Sequence, residues 1–409
     1  MEPILTIGII LLTGFVAGGL CRQIGLPKVT GYILAGLVLN PELTHFIPSS
    51  FVDHTNLVTQ IALAFITFSV GGTLQRSKIR SMGKTILYIT LFEAEFAFLS
   101  VAVFFILLAP VVLVGPDRGL LTYFIPMGLM LASLAAPTDP SATLAVAHEF
   151  HAKGDVTATI MGVAAFDDIL GIINYSLAVS VAGIFASQLH FSPYSIAWPF
   201  LKIAGSIAGG CVFAGGLNVL SKWIGNETEG VLISLIISLL ALCYGIIDKV
   251  GADALLATMT MGIIVVNHNP QSEKIFSILE RYTEELIFIL FFTISTMHLN
   301  FSVLASNYLL IFMFVFFRLI GKIGGTAVGG KLANASDRVQ KYTAGGLIPQ
   351  GGIVIGLALV IKQNPAFNTV SDVILNVIIG ATIIHEIIGP MLSKWALSRA
   401  GEIKAGSRG

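Results

Sequence analysis

Charge is what this sequence has least of. Of its 409 residues, 11% are Asp, Glu, Lys or Arg, against about 25% in an ordinary soluble domain. With 55% hydrophobic residues and a mean hydropathy of +0.88, the chain lacks the polar surface that a soluble fold needs. Net charge is zero, and no basic arm or Lys/Arg patch is present, which excludes nucleic acid as a partner. Cysteine is scarce as well. Cys21, Cys211 and Cys243 are odd in number, lie in apolar stretches at spacings that suit no metal site, and are expected to be small buried hydrophobes. No basic stretch precedes the first apolar run and no small-residue cleavage site follows it, so no removable signal peptide is expected. Long polar loops are also missing. A soluble regulatory domain, if one acts here, is expected to come from another chain.

What the sequence does have is apolar runs, each long enough to approach or cross a hydrocarbon core about 30 Å thick. Windows of about 19 residues place thirteen spans near 3–24, 28–40, 55–75, 84–114, 121–149, 154–184, 196–222, 228–248, 252–267, 284–299, 303–330, 341–362 and 371–396. If the N-terminus faces outside, 17 of the 23 basic residues fall in cytoplasmic connections, three fall outside, and Lys202, Arg318 and Lys322 fall within spans. Lys and Arg concentrate on the cytoplasmic side of membrane proteins, and a missed early span would have scrambled the bias. The expectation is an all-α, multi-pass protein of the inner (plasma) membrane with its C-terminus in the cytoplasm.

Within so apolar a chain, charges inside spans are the informative residues, because each costs about 2.5–3.5 kcal/mol or more to insert. In "GVAAFDDILGII" (162–173), Asp168 lies roughly 21 Å into the sixth span at 1.5 Å per residue, close to mid-membrane. Adjacent residues point about 100° apart on a helix, so Asp167 and Asp168 can serve different partners. One can exchange a proton while the other stays ionised beside a cation; the alternative is two carboxylates locked in structural ion pairs. In "APTDPSAT" (136–143), Pro137 and Pro140 interrupt the fifth span. Thr138, Asp139 and Ser141 supply oxygens there, the ligands that a dehydrated alkali cation needs. In "FFRLIGKIGG" (316–325), Arg318 and Lys322 share a face of the eleventh span and are the evident countercharges. In "LIPQGGIVIG" (347–356), Pro349, Gly351 and Gly352 interrupt the twelfth span. Two interruptions seven spans apart lie in oppositely oriented repeats, the arrangement of an inverted-repeat transporter with its site at the breaks.

Weaker candidates remain. Glu93 in the fourth span could pair with Arg318, and Gln350 sits beside the second break; both are candidates to stand behind the ligands. His385–Glu386 could relay protons or form a buried pair. "GGTAVGG" (324–330) and "SIAGGCVFAGG" (206–216) offer small faces for close helix packing.

Taken in order, "LPKVTGYILAGLVL", "TDPSATLAV", "FDDILGI", "GKIGG", "IPQGGIVIGLAL" and "HEIIGP" make the chain resemble the monovalent cation–proton antiporters, second subgroup, over nearly its whole length. The resemblance implies that Asp168 binds cation (Na+, Li+ or K+) or protons alternately. It implies that Asp167 partners the lysine at Lys322, and that Thr138, Asp139 and Ser141 are broken-helix ligands. It also implies two crossing broken helices, a mobile core (84–190 and 303–398), a dimerising scaffold (1–83 and 223–302), a linker helix (191–222), a short cytoplasmic tail (399–409), and a homodimer. No cofactor is expected beyond the transported ions. The potassium-efflux branch usually carries Gln where Asp167 stands, which favours sodium–proton exchange over potassium efflux. Sodium-coupled symport of an organic anion is the nearest rival. A channel would need an open path lined by repeated residues. An intramembrane aspartyl protease would need its aspartates on separate helices. The resemblance implies ion exchange by an elevator-like movement, not catalysis. The exchange is electrogenic if Lys322 also gives up a proton so that two return per cation, and one to one if the Lys322–Asp167 pair never breaks.

Overall fold

The computed structural model describes residues 3–24, 28–77, 83–112, 119–139, 143, 146–147, 150, 152–186, 193–224 and 228–403, and among these every regular element is helical. Spanning backbone must satisfy its own polar groups away from water, and a helix does so within one segment. Seven helices are long and apolar enough to cross a membrane, and five shorter apolar helices accompany them. With Glu284–Met297, each of the thirteen predicted spans contains a helix among the described residues.

The helices pack as two groups. The fourth, fifth, sixth, eleventh, twelfth and thirteenth spans lie against one another, and so do the first, second, third, eighth, ninth and tenth, with the seventh beside the latter. In the first group the fourth span (Lys84–Val103) runs along the eleventh (Tyr308–Leu332). Gly321, Gly325 and Gly329, one turn apart, make this possible. A Cβ at any of the three would land on fourth-span backbone at Phe96–Ala97, Phe92–Glu93 or Tyr88–Ile89. Backbones that approach this closely bring Glu93 and Lys322 together, which longer side chains at those positions would forbid.

Both interruptions are present. The fifth span is helical over Ile125–Ser133 and leaves the helix from Leu134 to Asp139. The twelfth is helical over Asp337–Gly346 and again over Gly352–Gln363, with non-helical backbone between. The two breaks meet: the Asp139 amide donates to the Pro349 carbonyl at 3.0 Å. One expectation needs correcting. Cys21 and Cys243 are buried, but Cys211 is exposed, because the glycines beside it, not the thiol, take the inward face of the seventh span; a Cβ at Gly210 would meet the ninth span at Ala257 and Thr260.

Candidate cation and proton site

Helices end in unpaired carbonyls, so two broken spans leave a set of them at the crossing. Arg318 answers three of that set. Its fully buried guanidinium donates to Ala135 O at 2.9 Å, Pro137 O at 2.8 Å and Ile348 O at 2.6 Å. It therefore ties the first break to the second with a fork that only arginine offers. Among the described residues it forms no ion pair with a carboxylate. The expectation that Glu93 pairs with Arg318 is corrected, since Glu93 pairs with Lys322. The guanidinium is drawn to carbonyls that would otherwise be unpaired, while its charge still acts on Glu93 and Asp167.

Lys322, one turn further on, is also fully buried. It forms a close ion pair with Glu93, and donates to Ala136 O at 2.7 Å and to the Thr138 hydroxyl at 2.8 Å. An ammonium has three donors, and all three are used. Asp167 lies 3.7 Å from the same nitrogen. The lysine is thus shared by two carboxylates and held by Glu93, a residue expected to stand behind the ligands or to pair with Arg318. The register of the glycine stripe decides this, and the sequence of one helix does not display it.

Asp167 and Asp168 project from the unbroken helix Asp155–Ala186. Asp167 is fully buried and Asp168 half-buried. Among the described residues, neither oxygen of Asp167, nor Oδ1 of Asp168, has a hydrogen-bond partner. Ionised carboxylates are acceptors only, and burying one without donors is costly. Such oxygens call for a proton or a metal ion. Among the described residues no three His, Cys, Asp or Glu side chains converge on one point, so a cation there would meet at most two of these acidic groups and complete its shell with neutral oxygens.

The other expected residues are placed as follows. Thr138 donates to Leu347 O at 3.2 Å while accepting from Lys322, so in this conformation its oxygen serves the lysine. The Asp139 carboxylate packs against Gly351, where a Cβ would collide with it. Gln350 is fully buried. It donates to Leu134 O at 2.6 Å and bonds the His385 ring at 3.0 Å, bracing both breaks against the last span. His385 and Glu386 do not pair with each other; Glu386 instead accepts from Thr30 at 3.1 Å. Ser141 lies outside the described residues.

Two interrupted spans pinned together beside buried aspartates are the arrangement found in inverted-repeat transporters. Residues 8–398 match the family described as "Sodium/hydrogen exchanger, transmembrane", and the chain belongs to that family of cation–proton antiporters. It is 23% identical over 374 residues to Cation/H(+) antiporter 18 of Arabidopsis thaliana, covering 86% of this chain and 44% of that protein. It is likewise 23% identical over 189 residues to Na(+)/H(+) antiporter 1 of Methanocaldococcus jannaschii, covering 44% of this chain and 40% of that protein. The chain therefore spans less than half the length of these relatives. The solved structure of the sodium proton antiporter MjNhaP1 from Methanocaldococcus jannaschii at pH 8 superposes with a TM-score of 0.77 over 98% of this chain and 99% of that one, at 17% identity, which shows a shared fold.

Proposed function

We propose that the protein exchanges Na+ (or Li+) for H+ across the plasma membrane, using one site at Asp167 and Asp168 that holds either the cation or protons. The observation that supports this most is the set of buried aspartate oxygens without donors beside a lysine already neutralised by Glu93. With the cation bound, both aspartates are ionised; when it leaves, both take up protons. Lys322 has no need to surrender its own. The ratio is then two protons per cation, and the exchange is electrogenic.

The two packing groups support an elevator-like cycle. The core, 84–190 and 303–398, carries the aspartates, both breaks, Arg318 and Lys322. The scaffold, 1–83 and 223–302, is the fixed and dimerising part, and 191–222 links them. The core crosses only when its aspartates carry the cation or protons, because the empty pair, with both carboxylates bare, cannot pass the apolar scaffold cheaply. That rule by itself couples the two fluxes. Asp139 and Ser141 complete the cation shell, and Thr138 joins it once Lys322 releases its hydroxyl. The N-terminus is placed outside and the C-terminus in the cytoplasm.

Purified protein in proteoliposomes with clamped potential tests the reading. Na+ flux coupled to opposite H+ flux is expected, accelerated by a potential that drives net positive charge in the proton direction. An Na+ flux indifferent to voltage eliminates the two-proton ratio, and the absence of coupled H+ movement eliminates exchange.

A further inference from the structure

One buried carboxylate takes no part in the site. Glu386 is fully buried in the last span (Ser371–Arg399), in the group of helices that carries the aspartates. Its Oε2 accepts from the Thr30 hydroxyl, which is 4% exposed in the second span (Lys28–Val38), in the other group. Its Oε1 is buried and has no hydrogen-bond partner among the described residues. No ion pair among the described residues includes Glu386, and the charged group that bears on it is Asp139 at the first break. His385, one residue earlier, turns instead to Gln350. The last span thus sends one polar side chain inward to the breaks and the next outward to the second span.

A hydrogen bond of this kind cannot survive sliding between the groups. A shift of one helical turn is about 5.4 Å, and the contact now measures 3.1 Å. We propose that the Thr30–Glu386 bond latches the core to the scaffold in this conformation, making Glu386 a positioning residue of the transport cycle. The proposal rests on the core-against-scaffold reading above. A contact made in one conformation and lost in the other biases the population between them, and deleting one such bond shifts that population about fivefold. Apparent affinity at each face scales with the fraction of protein open to it. Thr30→Val therefore raises the apparent KM for Na+ on one face and lowers it on the other.

The test has two readouts, made with Thr30→Val, Thr30→Ser, Glu386→Ala and the double variant Thr30→Val/Glu386→Ala. The first is independent of transport. Spin labels at Leu34→Cys and Met391→Cys, in a Cys211→Ser background, report the distance between the second and last spans in the full-length protein. Thr30→Val and Glu386→Ala are expected to shift the populations of that distance alike, the double variant no further, and Thr30→Ser not at all. The second is the ratio of apparent KM for Na+ in right-side-out and inside-out vesicles, which should change about fivefold in the same pattern. An ordinary packing bond, present in both conformations, would lower the yield of folded protein and leave both the distance populations and the KM ratio unmoved; that result overturns the latch. If wild type moves no Na+, the exchange reading fails, and the spin-label distances alone decide the latch.

Discussion

Asp168→Asn is expected to abolish cation-driven proton release, by about a hundredfold or more, while leaving the fold intact. The amide has nearly the shape of the carboxylate but can neither store a proton nor balance a cation, so the alternation between the two loads is lost altogether. Stability should not suffer. The half-buried carboxylate has an oxygen without any donor, and replacing an unsatisfied charge by a neutral group removes a desolvation cost. Proton release from inverted vesicles on adding Na+, Li+ or K+ reads the first effect. Thermal unfolding in detergent reads the second, with a midpoint equal to or above wild type. An inactive variant that is also unfolded would point to a structural carboxylate instead.

Lys322→Met carries the second large effect, and here the loss is of stability. The substitution strands Glu93 and Asp167, both fully buried beside the ammonium, and leaves Ala136 O without its donor. Removing one partner of a buried ion pair costs about 3–5 kcal/mol, whereas replacing both partners with apolar groups is often neutral. Glu93→Leu combined with Lys322→Met should therefore recover part of the unfolding midpoint lost by Lys322→Met alone, the remainder reflecting Asp167 and Ala136 O, which still lack the ammonium. Since the lysine is assigned no proton of its own in the cycle, the double variant should also retain voltage-dependent exchange. A double variant that folds but exchanges without sensitivity to voltage would make Lys322 the carrier of the second proton.

How much of this could be read from the sequence follows from where the information lies. The spans, both breaks and the aspartate pair are legible because each is a local departure from an apolar background: a carboxylate or a proline within a span stands out by its cost. The inverted repeat is legible from the order of the breaks. Partners are not. Periodicity tells which residues share a face of one helix, and so Arg318 and Lys322 were rightly set on one side. Which face meets which neighbour depends on packing across helices. The glycines at 321, 325 and 329 are visible as a stripe, yet only their landing on Phe92–Glu93 and Phe96–Ala97 delivers Glu93 to the lysine. The carbonyls that hold Arg318 are likewise invisible, because free carbonyls carry no letter in a sequence. Thr30, an ordinary threonine 356 positions from Glu386, gave no signal at all.

The central claim is that Na+ and protons compete for the same carboxylates. The apparent KM for Na+, measured across a series of pH values on one face, tests it most directly. The account predicts a KM that climbs as the solution becomes more acidic, about tenfold per pH unit for each competing proton, while the maximal rate at saturating Na+ holds steady. A KM that stays constant with pH while the maximal rate collapses in acid would mean that protons act at some other place, and would contradict it.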